Sequence, residues 1–276
     1  IPFYYYANEF IKSGGGTFSW ATDLGSDFWN SYSFYLAGSP FFWLTLLFPA
    51  AWQPFLMAPM LVLKFAVAGG GAYLWTRRWV KDPNMAVLAG CLYAFSGFTV
   101  YNVFFNHFVD VVALFPYLLW TLDEAVMNKR RGPFAVLVAL NLLNNYFFFA
   151  GQVVFLVLYF VCMTASGVYR WNGRTFGALA AESLLGCGMG CVLAWPALLS
   201  LAQNPRTVDP FSGFGYIFYS KAQQYGAILY SLFFPPDCPY MPVIFDEGVI
   251  KWTSMSAYLP LMGPVSYTHL RAHETS

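Results

Sequence analysis

Charge is what this sequence has least of. Asp, Glu, Lys and Arg make up 10% of its 276 residues, against about 25% in a typical soluble domain. Fourteen basic and thirteen acidic side chains leave a net charge of +1, so no bulk attraction to nucleic acid is implied. Histidine is rarer still, at three residues, and two of these, His269 and His273, fall in a C-terminal tail set aside below. The five cysteines (Cys91, Cys162, Cys187, Cys191 and Cys238) mostly sit in apolar runs. Cys187 and Cys191 are one helical turn apart with no other His or Cys nearby, so they read as buried small hydrophobic residues; a metal site needs more ligands. Cys238 has no evident partner, which argues against a disulfide framework.

What fills the sequence instead is apolar: 58% hydrophobic residues and 21% aromatic, with a mean hydropathy of +0.52. That composition belongs to the polytopic membrane class. A spanning helix needs about 20 mostly apolar residues. Residues 55–75, 85–105, 150–168 and 176–202 qualify, with Lys64 in the first and Glu182 in the last. Two segments are weaker. Residues 111–122 are short and contain Pro116, and 134–149 contain Asn141, Asn144 and Asn145. The basic clusters TRRWVK (76–81), NKRR (128–131) and YRWNGR (169–174) hold eight of the fourteen Lys and Arg. Short basic loops lie on the cytoplasmic side. All three share that side only if the chain crosses twice between each pair, so the weak segments span too, and their polar residues face protein or a wet cavity.

The expected fold is therefore all-α: a polytopic transmembrane bundle of about six spans over 41–202, with extended external loops. Residues 1–40 form an external loop with short helices. The stretch 33–52, broken by Pro40 and Pro49, reads as a short or interfacial helix. Residues 203–264 read as an external region leading into a further membrane segment. The tail VSYTHLRAHETS (265–276) turns abruptly polar, resembles translated adapter or vector sequence, and is excluded from the fold. This topology places 1–40, FFNHFVD (104–110) and NNYFFFAGQ (144–152) outside, where most polar residues able to do chemistry collect.

The stretch WATDLGSDFWNSY (20–32) spends two scarce carboxylates among aromatic rings. Asp27 is the first candidate for a general base and Asp23 the second; the alternative is that both cap turns or a helix start. His107 and Asp110, spaced i, i+3, share a helix face and are candidates to bind a substrate, orienting an acceptor or a metal, or to cap their helix as a hydrogen-bonded pair. Asn145, Tyr146 and Gln152 line a second external turn suited to sugar hydroxyls, or to satisfying the loop backbone. Lys64, mid-span, costs about 2.5–3.5 kcal/mol to insert unpaired. It needs a partner: a phosphate, or an internal carboxylate such as Glu182 or Asp110. Arg206 is a candidate phosphate clamp, its guanidinium fork matching phosphate oxygens. Glu182 is expected to snorkel to the interface.

The ordered set Ser19-Trp20, Leu24-Gly25, Tyr35 and Ser39-Pro40-Phe41, with the lysine of LVLKFAVAGGGAYLW and the turn NNYFFF, resembles the YfhO-type bacterial membrane proteins over roughly residues 1–202. The resemblance implies a GT-C-like membrane glycosyltransferase, using a sugar on a polyprenyl-phosphate carrier and acting on an envelope polymer such as lipoteichoic acid at the outer face of the bacterial membrane. The family's leading acidic motif follows a first helix that this chain does not include, so the chain is expected to be an internal fragment. In such chemistry a carboxylate takes the acceptor's proton, and a cation stabilises the departing phosphate, either a divalent metal or Lys and Arg. The membrane lipid, the lipid-linked donor and the glycopolymer are the expected partners. A lipid-linked sugar flippase and a non-catalytic membrane scaffold are the alternatives.

Overall fold

The computed structural model describes residues 2–170, 172–202, 225–226 and 229. Arg206, Cys238, the region 203–264 apart from those three residues, and the tail 265–276 lie outside the described residues.

The chain opens with helix α1 (Pro2–Lys12), followed by a two-residue strand pair, β1 (Phe18–Ser19) and β2 (Ser26–Asp27), and a short helix α2 (Phe28–Tyr32). A π-helical turn (Ser33–Ala37) leads to α3 (Pro40–Thr45). The stretch expected to be one short helix is thus several pieces. Gly38 closes the π turn; Ser39 is extended and caps α3, with Pro40 in its first turn, where the missing N–H costs nothing. The first long helix is α4 (Gln53–Thr76). It is followed by α5 (Pro83–Ala94), α6 (Gly97–Tyr101), α7 (Asn106–Met127), α8 (Pro133–Asn144), α9 (Tyr146–Ala165) and α10 (Gly173–Ala202).

Among the described residues, four helical stretches are long and apolar enough to cross a membrane: 50–76, 83–100, 146–165 and 173–199. The two weaker segments, α7 and α8, are not among these four, but both pack inside the helical bundle. α7 is the centre of the bundle, packed on α4 to one side and α8 to the other; α5 covers α4, and α10 covers α8. Because neighbours enclose it, α7 carries Asp110, Thr121 and Asp123 in buried positions that a lipid-facing helix does not tolerate. α8 ends at Asn144, not at 149, for a local reason. Asn145 is extended (φ −161°, ψ 104°), and its side-chain oxygen accepts from the N–H groups of Phe147 and Phe148, each at 3.1 Å, capping α9. Its amide nitrogen donates to the Phe34 carbonyl at 3.1 Å. Asn145→Ala is expected to lower stability by about 0.5–2 kcal/mol, the range of a lost cap, read as an earlier thermal transition in detergent.

The helix layers approach closely where side chains vanish. A Cβ added at Gly38 falls 1.6 Å from the carbonyl oxygen of Leu143, so only glycine lets the π turn lie against the end of α8. The cysteines differ from expectation: Cys91, Cys162 and Cys191 are on the bundle surface and Cys187 is half-buried. On a spanning helix that surface is lipid, in which a thiol is a small apolar group, so an apolar run did not mean a protein interior.

The three basic links gather at one end. Arg78 reaches Glu124 and Met127 at the end of α7, and Arg131 pairs with Glu182 of α10 at 3.6 Å. The Tyr169 hydroxyl donates to Asp123. Glu182 therefore does not snorkel; it is buried, and the Gly132 N–H also donates to it at 3.1 Å. The opposite end is aromatic. There α1, α2, the π turn and α3 share a core of Tyr4, Phe10, Phe28, Tyr32, Leu36 and Phe42.

Candidate functional site

At the aromatic end, α1, the π turn, α4 and the start of α7 enclose a cavity of about 570 Å³. Its wall is mostly apolar, with Tyr4, Tyr35, Asn106 and His107 as the polar-capable residues. Met57 and Leu61 come from α4, and Lys64, one turn further along the same face, lies buried behind them.

Lys64 has a full set of partners. Its ammonium meets the Asp110 carboxylate at 2.5 Å and donates to the Asn106 carbonyl at 3.2 Å and to the Asn106 side-chain oxygen. The Phe41 ring lies 5.6 Å away, within cation–π range. Three donors are all that an ammonium has, so in this arrangement Lys64 positions Asn106 at the cavity wall. Asp110, not Glu182, is its carboxylate partner. The second Asp110 oxygen accepts from the Ser39 hydroxyl at 2.5 Å, while the Phe42 N–H donates to the same Ser39 oxygen at 3.2 Å. Ser39 and Phe41 thus touch this pair, and Pro40 starts the helix that carries Phe41. Burial, and second the Asp110 charge, push the Tyr4 phenol well above its ordinary range. That hydroxyl has no hydrogen-bond partner among the described residues.

His107 and Asp110 diverge despite their shared face. Asp110 turns to Lys64 and Ser39; His107 sits among the rings of Phe34, Tyr35 and Phe108, with centroids 5.3, 5.3 and 4.6 Å away. Tyr146 is half-buried against Phe34. Gln152 is buried within α9, and its side-chain oxygen lacks a hydrogen-bond partner among the described residues. Neither Tyr146 nor Gln152 lines the cavity.

Asp23 and Asp27 have visible structural duties. Asp27 pairs with Phe18 in the strand ladder and caps α2, accepting from the Asn30 N–H at 2.8 Å through one oxygen. Asp23 lies exposed in the tip of the strand pair with φ +44°, followed by Leu24 at +66° and Gly25 at +107°; aspartate tolerates this left-handed region better than most residues. Burial, with a smaller push from Asp23, raises the Tyr32 phenol to about 12. Neither carboxylate lines the cavity. Asp27 starts the helix whose last residue, Tyr32, packs on the cavity residue Phe3 at 5.6 Å. Among the described residues no group of three His, Cys, Asp or Glu is placed to hold a metal ion.

Sequence reasoning did not single out Asn106, Tyr4 or the Ser39 side chain. Asn106 is an uncharged residue in the loop FFNHF, and only contact with Lys64 distinguishes it. The family described as "Bacterial membrane protein YfhO" matches residues 1–234. No curated protein matches the chain, and no solved structure does. Family match, helical spans and central charged helix agree: the chain belongs to the YfhO family of bacterial membrane proteins.

Proposed function

We propose that this chain is the core of a membrane glycosyltransferase, moving a sugar from a polyprenyl-phosphate carrier to an envelope polymer such as lipoteichoic acid at the outer face. The observation that carries this reading is the cavity at the aromatic end, opposite the basic links. With those links on the cytoplasmic side, the cavity opens near the outer leaflet. An amphipathic donor suits such a place: aromatic walls pack on sugar faces, while Asn106 and His107 offer polar contacts. Lys64 and Asp110 hold Asn106 in place. Arg206 remains the proposed clamp for the carrier phosphate, with Tyr146 and Gln152 as further contacts for the acceptor. Asp27 is the proposed base, with Asp23 behind it. Its second oxygen is not used in capping, and proton removal from an acceptor hydroxyl requires a carboxylate nearby.

The test separates the two duties of Asp27. Asn caps a helix about as well as Asp, so Asp27→Asn keeps α2 and removes the charge. In the full-length protein, expressed in a host lacking the gene, Asp27→Asn is expected to cut polymer glycosylation by about 100-fold or more, the span of a lost general base, at equal membrane abundance. Lipid-linked donor should accumulate on the outer leaflet. Unchanged glycosylation would remove Asp27 from the chemistry, and donor trapped on the inner leaflet would favour a flippase.

A further inference from the structure

The basic end holds two neighbouring cavities that the proposed transfer does not use. The first, about 360 Å³, lies between the link after α7 and the link before α10, with Lys129, Arg170, Asn172 and Thr175 among its lining. Lys129 and Arg170 take part in no ion pair among the described residues. The nearby carboxylates are engaged elsewhere: Glu124 with Arg78, Glu182 with Arg131, and Asp123 with the phenols of Tyr159 and Tyr169. Lys129 is held at φ +56°, a conformation unusual for a side chain of its length.

The second cavity, about 470 Å³, is an apolar groove between α9 and α10 with α7 and α8 behind it. It exists because α9 packs sparsely on the bundle, burying only Phe149 and Gln152. Along α9 the groove runs from Phe149 to Val161, which at 1.5 Å per residue is about 18 Å. That is slightly more than one leaflet of a hydrocarbon core about 30 Å thick. The two cavities adjoin. Tyr169 of the first packs on Phe160 of the second at 5.5 Å, Thr175 and Phe176 are consecutive, and Val126 lies one turn of α7 beyond Leu122.

We infer that these cavities form one site for an anionic glycerophospholipid of the leaflet at the basic end, its phosphate headgroup on Lys129 and Arg170 and one acyl chain in the α9–α10 groove. Charge complementarity selects the headgroup, since basic pockets between spans attract anionic lipid heads. Groove length and composition select a single-leaflet chain. The lipid completes the packing that α9 lacks from protein among the described residues.

The full-length protein, reconstituted in nanodiscs of phosphatidylcholine with a minor fraction of phosphatidylglycerol, tests this by native mass spectrometry of retained lipid. The wild type is expected to retain one phosphatidylglycerol in preference to phosphatidylcholine. Lys129→Gln with Arg170→Gln is expected to weaken that retention by about 30-fold, the effect of two membrane-surface cations. Ala180→Phe, which fills the groove from α10, is expected to abolish it with both cations intact. Thermal unfolding in pure phosphatidylcholine checks that the variants fold. Equal retention of both lipids, retention unaffected by the charge variants, or retention unaffected by Ala180→Phe would each overturn the site.

Discussion

Lys64→Met is expected to destabilise the protein by about 3–5 kcal/mol, the cost of leaving one member of a buried ion pair unpaired. Asp110 is 1% exposed and lies 2.5 Å from the ammonium that the substitution removes. The Ser39 hydroxyl alone then faces its charge. Asn106 loses two hydrogen bonds at once, so the cavity wall loosens with the core. The double variant Lys64→Met with Asp110→Leu is expected to recover most of the stability, because well-packed apolar replacements of buried pairs are often neutral or better. Activity should not return with it if Asn106 must be held for the donor. Unfolding in detergent measures the first effect and polymer glycosylation the second. A double variant that restores both would make the pair purely structural.

The second large effect concerns the aromatic layer. Phe28→Ala is expected to cost about 3–5 kcal/mol, the range for a buried aromatic truncated in a packed core. Phe28 is fully buried, stacked on Phe10 at 4.2 Å and Tyr32 at 4.7 Å, with Trp29 edge-on at 5.3 Å. No single neighbour can collapse into that space without abandoning another ring. Trp20, by contrast, is 80% exposed, and Trp20→Ala is expected to stay within about 0.5 kcal/mol. Limited proteolysis between residues 12 and 40 reads both: rapid cleavage for Phe28→Ala, wild-type resistance for Trp20→Ala. Similar behaviour of the two variants would mean that the layer is not held by its buried rings.

The sequence carried the spans well because a bilayer reads bulk properties. Apolar runs of sufficient length and three basic links are enough to place α4, α9 and α10 and to bring the weak segments α7 and α8 inside. It carried the break at Asn145 poorly, since apolarity continues through the residue and only an extended backbone with a side-chain cap marks it. The partner of Lys64 stayed open between Glu182 and Asp110, because composition says that a buried cation needs an anion without saying which helix brings it. The fate of Glu182 was misread for the same reason: Arg131 is 51 positions away (182 − 131). The cysteines show the converse limit. An apolar run does not distinguish a residue facing protein from one facing lipid, as both surroundings are apolar.

The central position of α7 has a consequence for how the protein is made. Lys64 is synthesised 46 residues before Asp110 (110 − 64). During that interval the ammonium meets the membrane without its counter-charge, at about 2.5–3.5 kcal/mol on insertion scales. α7 arrives with the complementary problem, and Asp123 adds to it. Released into lipid one at a time, both helices are poor substrates for the translocon; released together, they neutralise each other. The order of synthesis therefore leaves the Lys64 ammonium without the Asp110 carboxylate until α7 emerges.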